Sequence, residues 1–408
     1  MSVPKLRFPE FRDSGEWEEK KLGEVATFYN GKAYKQEELL DQGKYRVLRV
    51  GNFFTNNNWY YSDLELDDTK YCDYGDLLYA WSASFAPRVW DGEKIIYHYH
   101  IWKVVEKKNI DKKFLFIILE HETERLKDQS ANGLGLLHIT KGTIEGWKCG
   151  FPTLPEQKKI ADCLTSIADR ITAETQKLDT LKAHKKGLMQ QLFPAEGETL
   201  PKLRFPEFHD LGEWEEKKLE DLSIRGSGHT PNKSEPSYYN GGIKWVSLAD
   251  SNKLDNRYIY ETKIEISKEG LKNSSAVLHP SGTVIISRDA GVGKSAVLYS
   301  PMAVSQHFIV WRCDDSKLSN WFLYYFLQVL KPQFEAIATG STIKTIGLPY
   351  FKELRIFIPS LPEQQKIADC LTSIDEAIAA QSQAIDLLKL HKKGLMQQLF
   401  PSVEEVRR

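Results

Sequence analysis

The stretch LPEQKKIADCLTSIADRITAETQKLDTLKAHKKGLMQQLF, Leu154 to Phe193, decides the fold. It returns as LPEQQKIADCLTSIDEAIAAQSQAIDLLKLHKKGLMQQLF, Leu361 to Phe400, identical at 29 of 40 positions and offset by 207. Within it, apolar side chains recur at alternating three- and four-residue spacing, the pattern of a helix with a single seam. In the first copy the seam is Ile160, Leu164, Ile167, Ile171, Glu174, Leu178, Leu181, Lys185, Leu188 and Leu192. In the second it is Ile367, Leu371, Ile374, Ile378, Gln381, Ile385, Leu388, Lys392, Leu395 and Leu399, with its polar breaks at the same two places. Pro155 and Pro362 fall in a first helical turn, which tolerates proline, and Pro194 and Pro401 end each pattern. Each helix is expected to be ~58 Å long, at ~1.5 Å per residue.

Such a stripe also suits packing into a globular core, but its repetition in both copies favours a coiled coil. A parallel, in-register pair sets Lys185 against Lys392, a like-charge clash. Turned antiparallel, one register sets Glu174 against Lys392, Gln381 against Lys185, Ile171 against Leu395, Leu178 against Leu388 and Leu181 against Ile385. Polar layers then meet polar layers, so an intramolecular antiparallel coiled coil in that register is expected. An approximate two-fold axis would place one copy's interior at each end of a rod. That separation is comparable with one to two turns of DNA, at ~34 Å per turn.

The flanks repeat as well. PKLRFPEF (Pro4–Phe11) returns letter for letter at Pro201–Phe208, and GEWEEKKL (Gly15–Leu22) at Gly212–Leu219, both offset by 197. The second copy therefore carries ten more residues. Gly75, His100 and Gly133 already match Gly282, His307 and Gly340 at the larger offset, so the insertion falls between Leu219 and Gly282. The interiors, roughly 23–150 and 220–357, share an order of pattern but few residues: apolar runs, a glycine-plus-strand element, a helix (Phe114–Lys127, Trp321–Leu330) and a small-residue loop. The chain divides into segments 1–152, 153–199, 200–358 and 359–408. The fold class expected is α+β: two globular α/β domains separated by two long helices common to both copies, a pseudo-two-fold tandem repeat.

Bulk properties narrow the class. With 408 residues, 41% hydrophobic and 27% charged, the chain is long enough for two cores and is not of disordered composition. A net charge of −1 shows no basic excess, which leaves a nucleic-acid role to local basic loops. The five cysteines (Cys72, Cys149, Cys163, Cys313, Cys370) include no C-x-x-C pair, which speaks against a disulfide framework or zinc site and fits a reducing cytoplasm. Apolar runs such as Phe114–Leu119 are too short to span a bilayer, and the first residues hold no apolar signal segment. A cytoplasmic protein without membrane association is expected.

One loop imitates a nucleotide site: AGVGKSAVL, Ala290–Leu298, behind the strand-like run Thr283–Ser287. A phosphate-binding G-x-x-x-x-G-K-[ST] loop needs a glycine where this chain has Arg288. It must also open a helix, whereas Ser295–Pro301 reads as a short strand and turn. The acidic candidate strand Phe308–Asp315 is interrupted by Arg312, so nucleotide hydrolysis is set aside. What remains is a turn carrying Arg288 and Lys294, suited to DNA phosphates or base edges or else simply solvated. Its counterpart in the first copy is Gly75–Arg88, where aromatics replace the glycines. Tyr97-His-Tyr-His100 suits a strand edge or a DNA contact better than a metal pair, and Asp13, Glu18 and Glu19 read as solvated acids.

The repeated LPEQ-x-KIA helix start and KGLMQQLFP helix end now carry a resemblance, together with Gly282-TVIISRDAGVGK-Lys294 and Gly340-STIKTIG-Gly347. Over essentially its whole length the chain resembles the DNA-specificity (S) subunits of type I restriction–modification systems. The resemblance implies that 1–152 and 200–358 are target-recognition domains, each reading half of a bipartite site. The spacers 153–199 and 359–408 would set the gap and dock partners. It implies double-stranded DNA and two methyltransferase (M) subunits as partners, joined where present by restriction (R) subunits. Adenine N6 would be methylated with S-adenosylmethionine held by the M subunits, with ATP and magnesium used by the R subunits and no cofactor bound by this chain. Consistently, no [DN]-P-P-[YF] methyltransferase motif occurs, so the chain is expected to be non-catalytic. Candidate DNA contacts are Arg49, Asn52, Trp81, Arg88, His100 and Lys141 in the first copy. In the second they are Arg288, Lys294, Gln306, His307, Thr342 and Lys344. The competing reading is a coiled-coil interaction scaffold that binds protein alone.

Overall fold

The computed structural model describes residues 3–82, 84–130, 139–340 and 344–401. It forms two compact units, Met1–Thr175 with Gln383–Arg408, and Gln176–Ser382. The divisions fall inside both long helices, Leu154–Leu192 and Leu361–Leu399, and not at 152, 199 and 358, where the sequence pattern changes. The reason is packing: each globular part takes its core from the start of one long helix and the end of the other.

In the first unit, a four-stranded sheet runs in the order Ala26–Asn30, Ile101–Glu106, Leu77–Ser82, Ser84–Val89. Leu77–Ser82 is almost wholly buried and lies inside the sheet, as its unbroken apolar run requires. A second sheet is ordered Tyr60–Ser62, Tyr45–Leu48, Ile95–Tyr97, Tyr71–Cys72. Helix Lys112–Ser130 contributes Phe114, Leu115 and Ile118 to a core shared with Trp17, Phe28 and Trp102. Ile160 and Leu164 from the first long helix and Leu399 and Phe400 from the end of the second complete that core.

The second unit repeats this plan with one strand more: Ser223–Ser227, Phe308–Cys313, Val284–Ser287, Ser295–Leu298, Tyr258–Ile259. The other sheet is ordered Ile264–Ile266, Tyr239–Val246, Met302–Val304, Leu278–His279. The insertion can now be placed. Val246 pairs with Val304 as Leu48 pairs with Tyr97, an offset of 198 on the earlier strand, while Ile264 stands 204 residues after Tyr60. Most of the extra residues therefore lie between Val246 and Ile264, where they build the edge strand Tyr258–Ile259. Here Leu192 and Phe193 end the first long helix in a core with Trp214, Trp311 and Phe322, and with Ile367 and Leu371 from the start of the second.

The letter-for-letter flanks turn out to be a buried clamp. Glu156, in the first turn of its helix and fully buried, accepts from Arg7 Nε and Nη2 at 2.8 Å each and from the Trp17 indole N–H at 3.3 Å. Arg204, Trp214 and Glu363 repeat these contacts at 2.8, 2.8 and 3.3 Å. The bidentate bond to Glu156 raises the Arg7 pKa further above its ordinary value. The neighbouring glutamine ties the loop before the helix: Gln157 Nε2 donates to the Pro152 carbonyl at 2.9 Å and Gln364 Nε2 to Pro359 at 3.0 Å. Leu-Pro-Glu-Gln is thus a docking motif as well as a helix start.

None of the twenty seam positions of the two helices is exposed. In the first unit, residues Ala168, Ile171 and Thr172 share a cavity wall with Lys392, Met396 and Gln397, while Ile160 shares a core with Phe400. In the second, Lys185 meets Asp375 at 2.6 Å while Phe193 shares a core with Ile367. The helices therefore run in opposite directions within each unit. Both seam lysines reach carboxylates beside the seam: Lys185 goes to Asp375, which also accepts from the Tyr325 hydroxyl at 2.8 Å, and Lys392 goes to Glu120 at 2.8 Å. A lysine's four-carbon stem lets its amine leave an apolar seam for a carboxylate at the flank. Among the described residues no helix is long and apolar enough to cross a membrane.

Candidate nucleic-acid interface

In the second unit the loop behind Val284–Ser287 is wound tightly. Ala290, Gly291 and Gly293 take φ of 41°, 103° and 81°, in the region that favours glycine. Ser287 N–H donates to the Lys294 carbonyl at 2.8 Å and Gly293 N–H to Ser287 at 3.0 Å, closing a hairpin that leads into strand Ser295–Leu298. No helix follows, so these amides cannot form a phosphate cradle at a helix start. Lys294 folds back over Gly291 and its amine reaches the Ser251 carbonyl at 3.4 Å.

Arg288 begins this loop, and its backbone is held on both sides. Its N–H donates to the His307 carbonyl at 3.0 Å, and its carbonyl accepts from Ile346 N–H at 3.0 Å. His307 Nδ1 lies 2.6 Å from Asp289 Oδ2, and Gln306 accepts from the Thr230 hydroxyl. Of these groups Thr230, Gln306 and His307 line a cavity of about 560 Å³, together with Lys233, Trp245 and Ser305. The Ser305 hydroxyl and Arg288 Nε are buried without hydrogen-bond partners. Lys344 is exposed nearby in sequence to Thr345, which bridges Asp289; Thr342 lies outside the described residues.

The first unit repeats the backbone frame with other side chains. Trp81 N–H donates to the His100 carbonyl at 3.1 Å and Ile139 N–H to the Trp81 carbonyl at 3.3 Å, the same pair of bonds 207 residues earlier. Trp81 therefore stands where Arg288 stands, and His100 where His307 stands. The Trp81 indole donates to the Tyr99 carbonyl at 2.8 Å, stacks on Trp102 at 5.4 Å and meets His100 edge-on at 5.0 Å. His98 lies 4.8 Å from His100. Burial, with His100 and Arg49 beside it, brings the His98 pKa down to about 4, so this imidazole is neutral at pH 7. Arg49 lies over the Tyr60 ring at 4.7 Å.

The remaining candidates are held in structural contacts. Asn52 is buried and spends its amide N–H groups on the Asn56 and Asn58 carbonyls, at 2.9 and 2.8 Å, shaping the loop after its helix. Arg88 donates to the Phe53 carbonyl at 3.0 Å and pairs with Asp91 at 3.1 Å. Lys141 opens helix Lys141–Glu145 and lies 3.6 Å from Glu145. The sequence candidates did not include Asp289 or Thr230, and Tyr99 entered only within Tyr97–His100, although the offset of 207 already matched it to Gln306. No group of three or more potential metal ligands occurs among the described residues.

One backbone frame is used twice in the chain, with different side chains at its paired loops. A family model described as the type I restriction modification DNA specificity domain matches residues 14–183 and again 212–390. The chain belongs to this family. It is 26% identical over 342 residues to the MjaVIII specificity subunit of Methanocaldococcus jannaschii, across 80% of this chain and 78% of that one. It is 22% identical over 310 residues to the HindI specificity subunit of Haemophilus influenzae, across 60% and 67% of the two chains. Among solved structures, the S subunit of the type I restriction-modification system from M. genitalium shares the fold with a TM-score of 0.62 at 16% identity, covering 98% of this chain and 100% of that one. A chain from a type I R-M system, solved in a study of complex assembly and conformational transition, gives 0.57 at 19% identity, over 95% and 98%.

Proposed function

We propose that this chain is the DNA-reading subunit of a type I restriction–modification complex and that each unit reads one half of a bipartite target. The observation that carries this is the repeated backbone frame: Trp81 and His100 occupy the positions of Arg288 and His307. Side chains of different chemistry on one frame select different base edges. Arg288, His307 and Gln306 offer charged and polar contacts in the second half-site, while Trp81, His100 and Arg49 offer ring faces and one guanidinium in the first. Lys294, Arg88, Asn52, Lys141 and Lys344 act around them as loop supports or phosphate contacts.

The long helices set the distance between the halves and dock two methyltransferase subunits, with a restriction subunit joining where one is present. Leu387 and Leu390, 59% and 67% exposed, support a docking role for the second helix. They stand where the first helix has Thr180 and Ala183. Chemistry resides in the partners: they bind S-adenosylmethionine and methylate adenine N6, and the restriction subunit uses ATP and magnesium. With a net charge of −1 the chain depends on its partners' surfaces for DNA affinity. Working in the cytoplasm, the assembled complex should lose DNA affinity steeply as salt rises.

The test is co-expression with a cognate methyltransferase subunit and mapping of N6-methyladenine across the host DNA by long-read sequencing. Two short defined halves around a fixed gap are expected. A stable complex that adds no methylation would favour the protein-only scaffold instead.

A further inference from the structure

Asp289 is not among the groups that face DNA in the reading above, yet its carboxylate touches one of them, His307. The Ser287 hydroxyl donates to its carbonyl at 2.5 Å, and its backbone bridges Thr345. Its side chain is 14% exposed, against 31% for His307, whose Nδ1 lies 2.6 Å from Oδ2. Arg288 Nε, 3.6 Å from the other oxygen, supplies a counter-charge.

An ionised carboxylate can only accept a hydrogen bond, so the proton at this contact belongs to His307 Nδ1. In the neutral ring Nε2 is then left as a lone pair. That nitrogen lies 3.5 Å from Gln306 Nε2, on the cavity that Thr230, Lys233 and Gln306 line. A free neutral imidazole carries its proton mainly on Nε2, so the contact reverses the ordinary tautomer.

We propose that Asp289 is a positioning residue for half-site reading by the second unit, holding His307 in the Nδ1–H form so that Nε2 meets DNA as an acceptor. The proposal rests on the functional reading above and deepens it. An acceptor at this place selects a base edge with a donor, the exocyclic amine of adenine or cytosine. At the offset of 207 the place of Asp289 is taken in the first copy by Ser82, which carries no carboxylate.

The experiment uses the full chain with ¹⁵N-labelled histidine at alkaline pH, and the same chain co-expressed with its methyltransferase subunit. Wild-type His307 is expected to show protonated Nδ1. Asp289→Asn keeps the shape but offers an N–H to Nδ1, so it should switch the ring to the Nε2–H form, as amide-for-carboxylate exchange does at other carboxylate–histidine pairs. That variant should lose discrimination about tenfold at one position of the second half-site, with the first half-site and the melting temperature unchanged. His307→Phe should relax the same position, which keeps the test open if the Asn variant folds poorly. The proposal is overturned by an Nε2–H form in the wild type, or by a tautomer switch that leaves discrimination intact. It is equally overturned if His307→Phe changes nothing. A wild-type complex that methylates no split motif would instead remove the functional reading, and the half-site role with it, while the tautomer signature still reports the contact.

Discussion

Truncating Glu156 to alanine tests the buried clamp most directly. The carboxylate is fully buried and receives three N–H donors, two from Arg7 and one from Trp17. The Arg7 side chain is itself only 8% exposed, so water cannot replace what is lost. Breaking one partner of a buried pair costs about 3–5 kcal/mol, and the unpaired indole N–H places this case towards the upper end. Against a domain stability of about 5–15 kcal/mol, that is enough to open the helix start locally. Amide hydrogen exchange under increasing urea, read at Ile160–Leu164 and at Ile367–Leu371, separates the two copies. Glu156→Ala should accelerate exchange in the first segment and spare the second; Glu363→Ala should do the reverse. The double variant Arg7→Met with Glu156→Met removes both charges and should recover most of the loss. A loss below about 1 kcal/mol, the ordinary worth of an exposed pair, would refute the reasoning, as would a double variant no better than the single one.

Arg288→Ala should relax specificity in one half-site only, by roughly ten- to a hundredfold at the position it contacts, when the methylated motif is mapped. Equal loss in both halves would rule out two independent readers. His98 has its pKa brought from 6.5 to about 4 by burial, His100 and Arg49. Between these values the unfolded chain binds the proton first, so the first unit should lose stability as pH falls from 6.5 towards 4 and stay level above. Denaturation midpoints across that range should show the slope, and His98→Gln should flatten it. Gly293→Ala places a Cβ 2.9 Å from Lys331 Cγ at a φ of +81°. It should cost about 1–3 kcal/mol in urea denaturation, more than Gly291→Ala, whose Cβ finds its first neighbour at 3.4 Å.

The long helices were legible because their pattern is local: burial at three- and four-residue spacing writes itself into consecutive letters. The direction of pairing was legible too, since placing Lys185 opposite Lys392 is unfavourable whatever surrounds them. Their partners were not, because Asp375 and Glu120 lie beside the seam, where spacing carries no signal. The clamp was visible only as repetition. Arg7 and Glu156 are 149 residues apart, and nothing local marks that arginine as buried. The reading loops were half legible. Arg288 and His307 could be matched between copies by offset, but the inward turn of Lys294 and the burial of Asn52 depend on where Ser251, Asn56 and Asn58 fall in three dimensions. The ten extra residues could be bounded but not recognised as an edge strand, since Tyr258–Ile259 is too short to show alternation.

The first unit is discontinuous in the chain, and that bears on the order of its biosynthesis. Residues 176–382 form a contiguous unit, whereas the unit that begins at the N-terminus also draws on Gln383–Arg408. Leu399 and Phe400 belong to its core, and the Leu6 N–H donates to the Gln398 carbonyl at 2.9 Å. On a ribosome that delivers about 5–20 residues per second, the part translated first must therefore wait for the last residues, while the later part can close before it. A nonsense codon after residue 382 would leave the second reader's residues entire and deprive the first reader of part of its core.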